Sequence, residues 1–233
     1  MTKSPTELVF LGATAFCEIA EIVRDINRIE PTYSIRAILD DNPDLHGTMV
    51  EGTPVVGPLE ECRRFPDARI VMGIGSYKTR MVRHAIIERL GLPEDRYATL
   101  IHPTAKIYPT VEIGAGCIVQ CGAVIAADTV LEPFAHVLFN SFVGVGNRIC
   151  RGALLTSLVS TAGGVTVGHY AHLGTTSSVA ENRTIAAGAQ VAMGSVVIRD
   201  VPLGAFVLGN PARRLRSEKV DESIVRMWEN RDA

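Results

Sequence analysis

The sequence predicts two folds in one chain: a small α/β domain built on a parallel sheet, followed by an all-β solenoid. Three observations predict it. From Ile101 to Val197 an aliphatic residue recurs at every sixth position, with Thr161 the one exception. Four residues after each aliphatic position stands a second series of mostly small residues, such as Ala105, Cys117, Ala123, Ala135, Ser141, Ala153, Ala171, Ala189 and Ser195. Ahead of this region, apolar runs that read as strands alternate with stretches of helical periodicity.

Period six fits neither the helix nor the simple amphipathic strand, whose periods are 3.6 and 2. It is the signature of a β-solenoid in which each hexad makes one short strand and one corner. The aliphatic residue and the small residue both point inward and fill a narrow core. Polar residues take the remaining positions, and each coil rests on the next.

In the first part, residues 7–11 (ELVFL) read as a buried strand running into the turn Gly12-Ala13-Thr14. Phe16, Ile19, Ala20, Val23 and Ile26 then recur on one face of a helix. Residues 34–39 form a second strand ending in Asp40-Asp41, and Asn42-Pro43 and His46-Gly47 are turn signals. A short helix is expected over 58–65 and a third strand over 68–72, ending in Gly73-Ile74-Gly75. A second helix over 78–90 is stopped by Gly91 and Pro93. Such alternation predicts a parallel sheet, and ligands of parallel sheets bind at the carboxyl ends of the strands. Those ends carry the glycine turns and the two aspartates. Glycine admits close approach of a ligand to the backbone, a helix N-terminus favours phosphate, and an aspartate accepts hydrogen bonds from ribose or base. The full GxGxxG of redox dinucleotide sites is absent from GATAFC.

The bulk numbers exclude several classes. At 233 residues, 47% hydrophobic and 21% charged, the chain reads as an ordinary globular protein. A net charge of −2 gives nothing to attract nucleic acid or an anionic membrane. No apolar run is long enough for a signal peptide or a membrane span, and five cysteines without a CxxC pair are expected as reduced thiols. The expected location is the cytoplasm.

The segments VFLGAT (residues 9–14), ILDD (38–41), GIGS (73–76), LIHPTAKI (100–107), the hexads and VLGNPARRLR (207–216) together resemble a known family. It is that of the bacterial sialic acid O-acetyltransferases and nucleotide-sugar N-acetyltransferases, the hexapeptide-repeat sugar acyltransferases. The resemblance implies a Rossmann-like nucleotide-sugar-binding domain over residues 1–98, a left-handed parallel β-helix over 99–216 and a helical tail over 217–233. It also implies a homotrimer, with acetyl-CoA as acyl donor in the groove between adjacent solenoids and a nucleotide-linked amino sugar as acceptor. On this carry-over Gly12, Ala13 and Thr14 face phosphates or sugar, Asp40 and Asp41 bind base and ribose, and Gly73, Ile74 and Gly75 line the same pocket. Gly209, Asn210, Pro211 and Ala212 would sit beside the pantetheine or adenine of the coenzyme. The tail carries Ser217 or Asp221 as its helix cap and Trp228 as a buried residue.

The catalytic motif of the family is missing. Its base is a histidine followed by glutamate in a hexad of the form IEHE, and in this chain those positions fall on Val145 and Gly146. The histidine of the first glycine turn (GxxGH) is absent as well, the chain reading Thr14-Ala15-Phe16. Three readings follow. His136 and His172 share one column of the solenoid, at outward positions where a groove between chains could receive them, and either could be a relocated base. An amine that arrives neutral could instead be acylated by positioning alone. Or the chain binds a sugar nucleotide, or a partner as a scaffold, without chemistry. A metal reading also exists, since His136, His169 and His172 superficially resemble the three-histidine zinc set of γ-class carbonic anhydrases. The HxxH spacing differs from the HxxxxH of that class, and no metal ligand set is expected.

Overall fold

A computed structural model describes residues 4–74 and 80–217. The chain divides into two compact units after Pro103.

The first unit is a five-stranded sheet. Its strands are β1 (Thr6–Leu11), β2 (Tyr33–Leu39), β3 (Met49–Val50), β4 (Thr53–Gly57) and β5 (Arg69–Met72), in the order β3-β4-β2-β1-β5. β1 pairs in parallel with β2 and β5, and β2 with β4, while β3 closes an antiparallel hairpin on the edge. β1 lies inside the sheet, between β2 and β5, where Leu8, Val9, Phe10 and Leu11 are apolar on both faces and fully buried. Helix α1 (Phe16–Ile29) lays Phe16, Ile19, Ala20, Ile22 and Val23 into the core, and Phe16 meets Phe10 edge-on at 5.0 Å. Asn27 fixes the return to β2: its amide donates to the Tyr33 carbonyl at 2.8 Å and accepts from the Thr32 and Tyr33 N–H groups at 3.0 Å. A second helix, α2, covers Arg80–Leu90. The expected short helix over 58–65 is a 3-10 helix, Leu59–Arg64. The β3–β4 hairpin was not expected from the sequence. Its turn, Glu51-Gly52, holds both residues in the left-handed region.

The second unit is a parallel β-helix of two-residue strands, from Lys106–Ile107 to Val196–Val197. Each strand pairs in parallel with the strand one coil further on, eighteen residues later, so the aliphatic series forms three ladders. The first stacks Ile107, Ile125, Val143, Thr161, Val179 and Val197. The second stacks Ile113, Leu131, Ile149, Val167 and Ile185. The third stacks Val119, Val137, Leu155, Leu173 and Val191, ending on Val207. From Val119 to Val197 every one of these residues, Thr161 included, is buried. The small series is buried beside it, Arg183 excepted. A third register of period six lies at the corners. Gly116, Gly122, Asp128, Phe134, Asn140 and their successors to Gly194 all have positive φ. Most are glycine, asparagine or aspartate, the residues that adopt this conformation at least cost.

Several polar members of the inward series bond to the corners, although Ser177 Oγ and Asn147 Oδ1 are buried without a hydrogen bond. Thr129 Oγ1 donates to the Gly144 carbonyl at 2.9 Å and Ser141 Oγ to the Thr156 carbonyl at 2.8 Å. Asn147 Nδ2 bridges two coils, donating to the Gly144 carbonyl at 2.9 Å and the Ala162 carbonyl at 2.8 Å. Asn147→Ala is therefore expected to lower the unfolding free energy by about 2 kcal/mol, the loss of a buried amide and its volume, measurable by urea denaturation.

The last coil closes with Ala205–Leu208, which pairs antiparallel with Arg213–Ser217. Ser217 ends this strand. Asp221, Trp228 and the expected helical tail lie outside the described residues.

Candidate active site

In the first unit the topology brings the expected ligand-binding turns together. β1 lies between β2 and β5, so Gly12-Ala13-Thr14, Asp40-Asp41 and Gly73-Ile74 end side by side. Gly75 lies outside the described residues. Gly12 holds φ +91°, and a Cβ there would stand 2.6 Å from Ile74 Cγ1. Gly73 donates to the Leu11 carbonyl at 2.9 Å, and a Cβ on it would meet that same oxygen at 2.9 Å. Both glycines are thus required by close packing of the turns, whatever they bind. α1 begins directly after this turn. Its N-cap residue, Ala15, offers no side-chain hydrogen bond, so the N-terminal N–H groups of the helix are left without a side-chain cap.

The two aspartates part company. Asp40 accepts from the Ala13 N–H at 2.8 Å and from the Asn42 N–H at 2.9 Å, which keeps it at the turn. Asp41 accepts from the Leu59 N–H at 3.1 Å and from Arg89 at 2.7 Å. Partial burial alone would raise the Asp41 carboxyl, but the Arg89 and Leu59 hydrogen bonds outweigh it and hold its pKa below the ordinary carboxylate value. Asp41 thus ties the loop to Leu59 and α2, and of the two only Asp40 lies at the glycine turn.

In the second unit His136 and His172 do share a column, each paired in register with Leu154 between them. That places them two rungs, about 10 Å, apart. They differ from the sequence expectation in exposure: His136 is buried, at 4%, and His172 is half-buried. Val145 and Gly146, where the family motif would stand, form an open corner. Val145 is 54% exposed, and a Cβ on Gly146 would meet nothing within 4 Å.

A group that sequence reasoning did not assemble lies elsewhere on the solenoid. Glu132, Cys150 and His169 come from three successive coils, are all buried, and place one donor atom each within 4.8 Å of the others. Glu132 Oε1 pairs with Arg148 at 2.5 Å, Oε2 accepts from the Arg151 N–H at 2.8 Å, and His169 Nδ1 lies 3.8 Å from Oε2. Burial first, and the Glu132 carboxylate second, push the Cys150 thiol up to about 12. His169 therefore meets Glu132 and Cys150. Among the described residues His136, His169 and His172 do not form a ligand set.

The closing segment carries the expected coenzyme residues. Gly209 donates to Ser195 Oγ at 3.1 Å and Ala212 to the Val196 carbonyl at 2.8 Å, so Gly209, Asn210, Pro211 and Ala212 are laced to the last coil. Beside Ala212 is a groove lined by three arginines, Arg199, Arg213 and Arg214, and one acid, Asp200, together with Val197, Val201 and Pro202. Three guanidinium groups on one groove suit a polyanion. The sequence held this signal in ARRLR, but the partner Arg199 is brought in only by the closing strand.

No family model matches the chain. Serine acetyltransferase 2 of Arabidopsis thaliana is 33% identical over 122 residues, 51% of this chain and 34% of that protein. UDP-N-acetylbacillosamine N-acetyltransferase of Bacillus subtilis is 32% identical over 102 residues, 43% of this chain and 46% of that protein. The chain thus spans a third to a half of the length of these relatives. Solved structures match more widely. A histidine-to-asparagine mutant of perosamine N-acetyltransferase from Caulobacter crescentus, in complex with CoA and GDP-perosamine, superposes with a TM-score of 0.76 at 28% identity, over 92% of this chain and 97% of that one. The acetyltransferase domain of PglB from Neisseria gonorrhoeae, in complex with acetyl coenzyme A, gives 0.77 at 25% identity, over 91% and 100%. The similarity to hexapeptide-repeat sugar acyltransferases read from the sequence holds over nine-tenths of the chain.

Proposed function

We propose that the chain is an acyl-CoA-dependent N-acyltransferase that moves an acyl group, acetyl in the first instance, from CoA to the amine of a nucleotide-linked amino sugar used in surface glycan synthesis. The observation that carries this reading is the match over nine-tenths of the chain to an N-acetyltransferase solved with CoA and GDP-perosamine. The Rossmann-like first unit takes the nucleotide end. Gly12, Ala13 and Thr14, with the N-terminus of α1, receive the phosphates, Asp40 accepts from ribose or base, and Gly73 and Ile74 line the pocket. The left-handed β-helix binds the acyl-CoA, with Gly209, Asn210, Pro211 and Ala212 beside it and Arg199, Arg213 and Arg214 toward its phosphates. Three chains form a cytoplasmic trimer. The exposed apolar side chains of Phe142, Leu158 and Met193 support burial between copies.

In the reaction the neutral amine attacks the thioester carbonyl, the C–S bond breaks, and CoA leaves as its thiol. The amine gives up one proton, which is relayed to the departing CoA sulfur. His172 is the better candidate to accept it, since it keeps part of its surface and His136 does not. An amine needs less help than a hydroxyl, whose proton is held far more tightly, so N-acylation suits a chain that lacks the histidine–glutamate pair. That same loss supports a second reading, a lapsed enzyme that still binds a sugar nucleotide.

Melting temperature and free-thiol release separate the two. Stabilisation by both a CoA and one of the UDP-, dTDP- or GDP-amino sugars is expected, with thiol release when both are present. His172→Ala is expected to slow release about a hundredfold, and His136→Ala far less. Stabilisation by a sugar nucleotide with no thiol release would establish the lapsed binder instead. An enzyme that acylates a hydroxyl sugar and ignores amines would overturn the choice of acceptor.

A further inference from the structure

Glu132, Cys150 and His169 are used by no step of that reaction, yet three different donor groups meet there on rigid coils. We propose that they form a site for a single divalent transition-metal ion of the zinc type, with a fourth position left for water or an exogenous ligand.

The donor set selects the metal class. A thiolate and an imidazole are ligands for zinc and its neighbours, whereas magnesium and calcium take oxygen ligands alone. One carboxylate, one thiolate and one neutral imidazole carry a charge of two minus, which a divalent cation neutralises. On binding, a metal–sulfur bond forms and the Cys150 proton passes to solvent, so charge and atoms balance. Three protein ligands with one open position is the arrangement of zinc sites that bind a further ligand.

The spacing is suitable. The donor atoms already lie within 4.8 Å of one another. Bonds of about 2.0–2.3 Å in a tetrahedron set donors about 3.3–3.7 Å apart, so side-chain adjustment alone closes the site. The backbone need not move, because each ligand sits within two residues of a laddered strand: Glu132 after Leu131, Cys150 after Ile149, His169 two residues after Val167. The carboxylate is also held from outside. Arg148 grips Oε1 and the Arg151 N–H points at Oε2, the kind of surrounding hydrogen bonds that orient metal-bound carboxylates. Arg148 is also the principal opposing charge: it pairs with Oε1, remote from His169, and hydrogen-bonds the Cys150 thiol, so it has to swing outward, where half of its surface already lies, as the metal binds.

Cobalt(II) tests this on the full-length protein, kept reduced after chelator treatment. One cobalt per chain is expected, with a thiolate-to-cobalt charge-transfer band in the near ultraviolet, visible bands of four-coordinate cobalt, and displacement by zinc. Cys150→Ser should abolish the charge-transfer band, Cys17→Ser should leave it intact, and His169→Ala should weaken binding at least tenfold. Absence of uptake by the wild-type protein would overturn the site, and that result does not depend on whether a variant folds. A charge-transfer band that survives in Cys150→Ser would overturn it equally. Neither result bears on whether the chain transfers acyl groups, which is read by thiol release.

Discussion

Gly144→Ala should destabilise the solenoid by about 3 kcal/mol or more, while Gly163→Ala, one coil further along and equally small a change, should fall within about 0.5 kcal/mol of wild type. The difference comes from what a single methyl would touch. On Gly144 it would lie 2.5 Å from the Ala162 carbonyl oxygen, 2.6 Å from that carbonyl carbon and 2.7 Å from the Thr161 oxygen. All three are backbone atoms of the next coil, and none can rotate away. The coil is held there by the ladder itself: Gly144 donates to Thr161 at 3.0 Å and Ala162 to Val179 at 2.9 Å. Making room means separating two rungs and lengthening bonds on both sides. On Gly163 the same methyl meets only the Val145 oxygen, at 3.5 Å, an ordinary contact. Urea denaturation followed by circular dichroism gives the comparison. Equal midpoints for the two variants would show that the coils are not stacked at this spacing.

This example also shows what a one-dimensional reading of the chain catches. Period six was legible because an inward aliphatic side chain is required on every wall of every coil, a constraint that no other fold repeats so strictly. The two series, aliphatic and small, named the core residues from Cys117 to Val197 without any three-dimensional input. Strand–helix alternation likewise located β1, β2, β5 and both helices of the first unit. The β3–β4 hairpin escaped because it is short, carries Pro54 in its second strand, and lacks an alternating apolar run. The ties of Asp41 to the Leu59 N–H and to Arg89 escaped because both partners are distant in sequence. The Glu132, Arg148, Cys150 and His169 group escaped for a similar reason. Its members are far apart in sequence, and they meet only when hexads are stacked in threes. Writing the sequence in rows of eighteen places Cys150 directly below Glu132 and His169 one column to the side, which is the signal that was available. Burial of His136 had no such signal, since an outward hexad position reads as exposed whatever covers it.

Val145→His carries the largest expected gain in rate. Val145 stands where the family resemblance would put the base, and it is 54% exposed on a corner with open space around Gly146. An imidazole fits there without displacing the core, so stability should change little. A correctly placed general base contributes about 10²–10⁴ in rate, and an unsupported one at the low end, so a gain of tenfold or more in thiol release is expected. The gain should be larger for a hydroxyl acceptor than for an amine, because the hydroxyl has the proton that is harder to remove. It should also carry a pH signature. The imidazole acts as base only when neutral, so the added rate should rise with pH through about 6.5 and be absent well below it. Restoring the glutamate as well, by Gly146→Glu, places a side chain at φ +67°, which costs about 1–2 kcal/mol and is the poorer first step. A folded Val145→His protein with unchanged thiol release at every pH would place the acceptor away from this corner. Sensitivity to His172→Ala would then locate it on the wall that carries His172, and the missing family motif would mark a moved reaction centre, not a lost one.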